Sequence, residues 1–196
     1  MRQLVFGLML TFALPAMATN AIQQMIQETA DKVLDEMRTN ADLYKRDPQK
    51  IYDLVDTLVL PHFDFAAMTD LALGHYSDEV SPEQRPAIIS EFRHLLVRTY
   101  SSALLEYTDQ SVVFLPMEGS EADGEVTVRA EIQQAGGFPI PIDYLLHNSE
   151  DGWKVVDVSV DDVSLVTNYR SSFARAIKKD GVDGLIQTLR ARNDSQ

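Results

Sequence analysis

The sequence predicts an α+β fold, with several helices packed on one side of a curved antiparallel sheet of four strands in meander order. Two observations support this prediction. Apolar residues recur every three or four positions from residue 22 to residue 107, which is the period of an amphipathic helix. From residue 111 to residue 160 apolar and polar residues alternate, and short turns separate the segments, as in adjacent antiparallel strands.

Residues 1–18 have the pattern of a cleavable secretory signal peptide. Arg2 is the positive start, Leu4–Leu14 is an apolar run too short to span a bilayer, and an A-x-A cleavage site ends at Ala18. An uncleaved membrane anchor is the alternative, and the short apolar run argues against it. We expect cleavage after Ala18, export to the periplasm, and a single domain over residues 19–196.

Charge and cysteine content exclude several classes of function. The formal net charge is −13, and it becomes one unit more negative without Arg2, so nucleic acid and anionic membrane surfaces would repel the protein. The chain has no cysteine, which excludes thiol catalysis and thiolate metal sites and suits a bacterial periplasm. We expect a soluble monomer held by an apolar core.

The first two predicted helices have clear start and stop signals. Thr19 or Asn20 caps the first helix, and a polar connection over residues 38–47 follows it. Pro48 opens the second helix at its first turn, and Pro61 ends it.

A short third helix and a long fourth helix complete the helical part. The third runs from about Asp64 to Leu73 and stops at Gly74. The fourth begins with a cap at Ser81 and extends to about Tyr107. Its wide apolar stripe contains Ile88, Phe92, Leu95, Leu96, Tyr100, Ala103, Leu104 and Tyr107.

The four predicted strands are Ser111–Leu115, Glu125–Ile132, Phe138–Leu146 and Trp153–Val160. An acidic loop over residues 117–124 joins the first two. In the third strand the apolar row is Phe138, Ile140, Ile142, Tyr144 and Leu146. In the fourth, Val156, Val158 and Val160 share one face, while Trp153, Val155, Asp157 and Ser159 share the other.

The last strand is predicted to turn directly into a helix. Asp161 and Asp162 stop the strand, and either Asp162 or Ser164 caps a helix that begins near Val163 and ends before Gly181. Val166, Tyr169 and Phe173 lie on one stripe of this helix. The sheet face and the helix stripe therefore enclose apolar side chains between them.

Motifs for catalysis or metal binding are missing from the sequence. Glu91 and His94 form one Glu-x-x-His pair, whereas a di-metal bundle needs two such pairs. Asp157, Asp161 and Asp162 lack the spacing of a calcium loop, which favours turn and capping roles. We predict no catalytic residue and no metal ligand. The apolar rows remain the informative feature, and periodicity does not tell whether they form only a core or line a cavity.

The segment DGWKVVDVSVDDVSLVTNYRSSFARAIKKDGVDGLIQTL (residues 151–189) resembles the MlaC family of toluene-tolerance proteins. Asp162 stands where that family usually has glycine. Weaker matches occur at residues 60–64 (LPHFD), 73–76 (LGHY) and 81–85 (SPEQR). The resemblance therefore covers nearly the whole chain after the leader.

The resemblance implies a periplasmic carrier with no cofactor, which holds a phospholipid as cargo. Its fold would be a cystatin-like, nuclear-transport-factor-like cone with an internal apolar cavity. Its expected partners are an outer-membrane lipoprotein–porin complex and an inner-membrane ABC transporter, and its expected role is to maintain outer-membrane lipid asymmetry. We expect the cavity to be lined by Phe92, Leu96, Tyr100, Leu104, Ile142, Tyr144, Val156, Val158, Val163, Val166, Tyr169 and Phe173.

A basic cluster near the C-terminus is a candidate docking surface. Arg170, Arg175, Lys178 and Lys179 lie here, with Arg190 and Arg192 further along. These side chains either contact a partner or phosphate, or form an ordinary solvated helix face.

Two other classes of function remain open. The same cone-shaped fold hosts small enzymes that act on apolar substrates, which would need an acid–base pair inside the cavity. The ionisable candidates on strand faces are Asp143, Tyr144 and Asp157, and no spacing recommends them. A protein-binding periplasmic chaperone would instead carry an open apolar surface and no extractable ligand.

Overall fold

The computed structural model describes residues 20–106, 110–134 and 136–195. The predicted leader and its cleavage site lie outside these residues, as does Tyr107 at the predicted end of the fourth helix. Within the described ranges, helices and one antiparallel sheet form the α+β arrangement that the sequence predicts. The α-helices are α1 (Ala21–Thr39), α2 (Ala41–Arg46), α3 (Gln49–Leu58), α4 (Phe65–Leu73), α5 (Arg85–Ser101) and α6 (Arg170–Ser195).

Side-chain caps begin α1 and α4, and the cap of α1 was predicted from the sequence. The Asn20 side chain accepts a hydrogen bond from the Ile22 amide at 2.8 Å and begins α1. The Asp64 carboxylate accepts one from the Ala67 amide at 2.9 Å and begins α4. The polar connection predicted between the first two helices is wrong, because α2 forms there. Tyr44 is buried in α2, and its hydroxyl donates to Glu36 at 3.1 Å.

The long helix α5 is shorter than predicted at both ends. Ser81 and Gln84 exchange side-chain and backbone hydrogen bonds at 3.2 and 3.3 Å, which is the predicted capping box. Regular α-helix starts at Arg85, and after Ser101 the chain tightens into a 3-10 turn over Ser102–Glu106. Leu104 therefore lies in this turn and not on the α-helical stripe.

The sheet contains two short strands beyond the four predicted. Its strands are β1 (Ser111–Phe114), β2 (Glu118–Ser120), β3 (Glu125–Gln133), β4 (Ile140–Ser149), β5 (Gly152–Val160) and β6 (Val163–Ser164). Their order is β1-β3-β4-β5-β6, and β2 pairs with β3 on the edge that β1 also occupies. The consecutive antiparallel pairing of β3, β4 and β5 is the predicted meander.

A β-bulge changes the predicted facing of the valines in β5. The pairing register between β4 and β5 shifts between Leu145 and Leu146, which makes Val156 an extra residue. Val155 therefore shares a face with Val158, and the prediction that Val156 lies on that face is wrong. Alternation in the sequence cannot reveal a bulge, because the extra residue is as apolar as its neighbours.

The chain after β5 forms a hairpin where a helix was predicted. Asp161 and Asp162 have φ values of 51° and 61°, the positive angles of a two-residue I′-type turn, so the chain returns against β5 as β6. A 3-10 turn over Thr167–Tyr169 then leads into α6. Gly181, with φ 71° and ψ −174°, interrupts α6 at the predicted break.

Three apolar clusters form the core. The first packs α5 against α6 and includes Phe92 and Phe173. The second joins α1 to the sheet, and the third joins α1, α2 and α3. Phe138 belongs to none of them and is 90% exposed, because β4 begins only at Ile140. Its predicted place in the apolar row of β4 is therefore wrong.

Candidate functional site

One face of the sheet is only partly covered by the helices. Its cross-strand rows are Val126–Leu146–Val155, Val128–Tyr144–Val158 and Ala130–Ile142–Val160. The first row is fully buried and packs with Ile22 and Ile26 of α1. In the other two rows the β3 members are buried, whereas the β4 and β5 members are half-exposed. We call these four residues, Ile142, Tyr144, Val158 and Val160, the half-covered face.

Two tyrosines on the helical side are also half-exposed. Tyr100 of α5 and Tyr169, just before α6, lie at the edge of the α5–α6 cluster and hydrogen-bond with each other. The Tyr169 ring meets the buried ring of Phe92 edge-on, with 5.2 Å between centroids. Burial, and then the neighbouring Tyr169 hydroxyl, raise the pKa of Tyr100 to about 12. This phenol therefore stays neutral at physiological pH.

The predicted cavity residues fall into three groups. Half-exposed are Tyr100, Leu104, Ile142, Tyr144, Val158 and Tyr169. Fully buried are Phe92, Leu96, Val156, Val166 and Phe173. Val163 is 56% exposed at the end of the sheet. Contact of any of them with lipid stays a prediction, and the half-exposed group has accessible apolar surface to offer.

A buried carboxylate fixes the corner between the sheet and α6. Asp157, 7% exposed, accepts hydrogen bonds from the Ser164 hydroxyl at 2.5 Å, from the Val158 amide at 2.8 Å and from the Val166 amide at 3.2 Å. The Ser164 Oγ in turn accepts from the Thr167 amide at 2.9 Å, at the start of the 3-10 turn. The corner that carries Tyr169 is thus held by one network.

A second tether, which the sequence did not reveal, joins the start of α4 to the sheet. The Asp64 amide donates to the Val155 carbonyl at 3.0 Å, and the His147 Nε2 lies 3.0 Å from the Asp64 Oδ2. The Lys154 Nζ donates to the Pro61 carbonyl at 2.7 Å. No sequence signal connects these residues, because Asp64 and His147 are 83 positions apart. The tether lies beside the fully buried row of the sheet.

The basic cluster is not uniform. Arg170 donates through Nε and Nη2 to the Leu71 carbonyl, at 3.1 and 2.8 Å, so it secures the end of α4. Lys179 pairs with Asp180 at 3.1 Å, and Arg175 and Lys178 are exposed on α6. Docking by these residues stays a prediction, and Arg170 already has a structural role.

The described residues contain neither a cluster of metal ligands nor a membrane-spanning helix. Across residues 20–106, 110–134 and 136–195, the acidic and histidine side chains form no group of three that could hold a metal ion. In the same part of the chain, every helix is too short or too polar to cross a bilayer.

Comparison with known proteins gives consistent matches along the chain. The family model described as MlaC protein matches residues 27–191. A toluene tolerance protein, ttg2D of Pseudomonas putida, is 26% identical over 184 residues, which cover 93% of this chain and 85% of that protein. The intermembrane phospholipid transport system binding protein MlaC of Haemophilus influenzae is 26% identical over 177 residues, covering 89% and 83%.

A solved structure shares the fold. It is the phospholipid-binding protein from Ralstonia solanacearum in complex with a phospholipid, with a TM-score of 0.80 and 34% identity. The match covers 88% of this chain and 97% of that one. The similarity therefore extends over both the sheet and the helices.

Proposed function

Because the chain belongs to the MlaC family, whose model matches residues 27–191, we propose that it is a periplasmic carrier that holds a phospholipid by its acyl chains. The observation that supports this most directly is the half-covered face. The apolar face is buried at one row, and the next two rows carry partly exposed apolar side chains that an acyl chain can cover. The Ralstonia solanacearum relative of the same fold is a phospholipid complex.

The proposed cargo contacts come from both layers of the fold. Tyr100 and Tyr169 lie beside the α5–α6 cluster, and Leu104 lies against the cluster of α1, α2 and α3. Ile142, Tyr144 and Val158 lie on the sheet, with Val160 beside them. Phe92, Leu96, Val166 and Phe173 form the packed wall behind Tyr100 and Tyr169. Val156 is the buried extra residue of the bulge, and Val163 lies in the edge strand β6.

The energetics of acyl chains explain why such a carrier needs docking partners. Each buried CH₂ contributes about 0.8 kcal/mol, so two long chains represent a gross transfer free energy on the order of 20 kcal/mol. Spontaneous escape through water is therefore very slow. We propose that the lipid leaves only while the carrier is docked on an outer-membrane lipoprotein–porin complex or on an inner-membrane ABC transporter, each of which offers a continuous apolar path.

The two tethers divide the molecule into a fixed part and a part that can admit cargo. The Asp64–His147 tether lies at the fully buried row, and the Asp157 network holds the corner before α6. Neither joins the half-covered face to Tyr100 of α5. We therefore propose that acyl chains enter beside the half-covered face of β4 and β5, which neither tether crosses.

The exposed basic side chains of α6, Arg175, Lys178 and Lys179, are a proposed contact for one membrane complex. In a strongly acidic protein, a local positive surface favours one orientation during encounter. Changing both Lys178 and Lys179 to Glu should weaken binding to one of the two complexes at low salt. If binding to both complexes is unchanged, the cluster is only a solvated helix face.

The carrier function is tested by purifying the processed protein from a bacterial periplasm and applying native and denaturing mass spectrometry with lipid extraction. We expect nearly one phospholipid per protein, lost on denaturation. A well-folded protein that carries no lipid would contradict the proposal and favour an enzyme or a protein-binding chaperone.

A further inference from the structure

Two neighbouring turns at one end of the sheet expose apolar side chains. Phe138, in the loop between β3 and β4, is 90% exposed, and Val163, after the turn between β5 and β6, is 56% exposed. The Asp161 amide donates to the Pro141 carbonyl at 3.0 Å, which joins the turn between β5 and β6 to the start of β4, three residues after Phe138. We call Phe138, Pro139 and Val163 the apolar tip.

The apolar tip continues the half-covered face. Val163 pairs with Val160, Val160 with Ile142 and Ile142 with Ala130, so these four side chains form one row on one face of the sheet. Exposure rises along the row, from 1% at Ala130 through the half-exposed Ile142 and Val160 to 56% at Val163. The row therefore leads from the core to the surface without a charged side chain.

The loop that carries Phe138 is held in place by its own hydrogen bonds. The Gln134 side-chain amide donates to the Phe138 carbonyl at 3.0 Å, and the Gly137 amide donates to the Gln134 carbonyl at 3.3 Å. An exposed aromatic ring on a braced loop loses little conformational entropy when it is buried by a partner. The Phe138 ring packs on none of the three apolar clusters, so it contributes nothing to the core. Contact with a partner is the role that explains its exposure.

Charge around the apolar tip indicates the kind of partner. Asp161 and Asp162 are exposed next to Val163, and the described residues of the two turns include no Lys or Arg. Segments that bind bilayer surfaces usually combine apolar side chains with basic ones, because biological membranes are negatively charged. An acidic apolar tip is complementary to a protein surface that is apolar at its centre and basic at its rim.

We propose that the apolar tip docks into an apolar opening of a partner protein whose rim carries Lys or Arg, so that cargo moves along the Ile142–Val163 row without entering water. This inference rests on the proposed carrier function and names the surface through which cargo is handed over. Phe138 supplies the anchor, and the two aspartates set the orientation and the association rate.

The test compares three variants of the processed protein, loaded with a fluorescent phospholipid. Phe138→Ser removes the anchor, and Leu43→Ser is the matched control, since Leu43 is another exposed apolar residue, at 39%, in α2. The double variant D161N/D162N removes the charges and keeps the turn, because Asn adopts positive φ readily. Acceptors are proteoliposomes with the inner-membrane ABC transporter and protein-free vesicles, either neutral or containing anionic phospholipid.

We expect Phe138→Ser to slow transfer to the transporter by about tenfold or more, as for loss of an aromatic anchor, with unchanged lipid content. Leu43→Ser should transfer at the wild-type rate. The double Asn variant should transfer more slowly and respond less to salt. Wild-type transfer by Phe138→Ser would overturn the proposal, as would an equal loss toward protein-free vesicles, which would make a bilayer the contact.

Failure of the carrier function has a different signature, because the wild-type protein would then hold no phospholipid and transfer none. The apolar tip is tested in that case by direct binding of the wild-type protein, Phe138→Ser and Leu43→Ser to the immobilised transporter. A selective loss of binding in Phe138→Ser supports docking through the apolar tip, and equal affinities of all three proteins refute it.

Discussion

The Asp157 network offers the sharpest test of how the site is held. We predict that Asp157→Ala destabilises the lipid-free protein by about 3 kcal/mol, because it removes an acceptor with three donors and leaves the fully buried Val166 amide without a partner. The substitution also removes the desolvation cost of a buried carboxylate, which offsets part of the loss. The expected destabilisation is therefore smaller than the sum of three hydrogen bonds to a charged group. Asp157→Asn keeps one acceptor oxygen and should lose about 1 kcal/mol.

Urea unfolding of the delipidated protein measures this difference. Trp153, the single tryptophan, lies in β5 and reports on the strand that carries Asp157. Delipidation matters because bound ligand adds its own stabilisation to the native state. The expected fall in the melting temperature for Asp157→Ala is about 6–12 °C for a chain of this size.

Asp151→Ala is the matched control, since Asp151 is exposed in the turn before β5. Its free energy of unfolding should change by less than about 0.5 kcal/mol. If Asp157→Ala is as stable as this control, the carboxylate does not hold the corner, and another contact must place Tyr169 beside Tyr100. A second readout is lipid content, which should fall in Asp157→Ala but not in Asp151→Ala.

Three further predictions concern the site and its surroundings. Val158→Lys should abolish lipid retention by placing a charge on the half-covered face, whereas Ser159→Lys, on the opposite face of β5, should keep it; equal lipid content by mass spectrometry would argue against the site. Asp162→Gly should stabilise the protein by about 0.5–1 kcal/mol in urea unfolding, because φ is 61° at this position and glycine adopts that angle without strain; a destabilised variant would contradict the turn assignment. Tyr100 should ionise near pH 12 in the folded protein and near its ordinary value of 10.0 when unfolded, so its stabilisation is present below pH 10 and is lost as the pH rises to about 12. In an ultraviolet titration, Tyr100→Phe should show one tyrosine fewer than the wild-type protein among those that ionise near pH 12. Identical titration curves for the two proteins would exclude a raised pKa of Tyr100.

Periodicity predicted the elements well where local and tertiary preferences agree. The buried positions of α1, including Ile22 and Met37, follow the helical stripe of the sequence. The buried positions of β3 alternate as predicted, and Gly181 breaks α6 where expected. The family was predicted from the motif at residues 151–189. Periodicity, charge and residue spacing alone did not indicate it.

What sequence reasoning missed depends on pairing between distant strands or on backbone angles. The bulge at Val156 exists only as a register shift against Leu145 and Leu146, so alternation placed the wrong valine on the site. Asp162 was predicted as one of two candidate helix caps, yet Asp161 and Asp162 both adopt positive φ and form a hairpin turn that is more usual for Asn-Gly. Exposure of Val163 follows directly from that turn.

The half-covered face has a consequence for how the cell would regulate the amount of carrier. If cargo completes the packing there, the loaded molecule has a finished core and the empty one shows apolar surface at Ile142, Tyr144 and Val158. Proteases cut chains in proportion to how often they open, and an unfilled molecule opens more often. Proteolysis would then remove empty molecules faster than loaded ones. The number of carrier molecules would therefore follow the supply of lipid without a dedicated sensor.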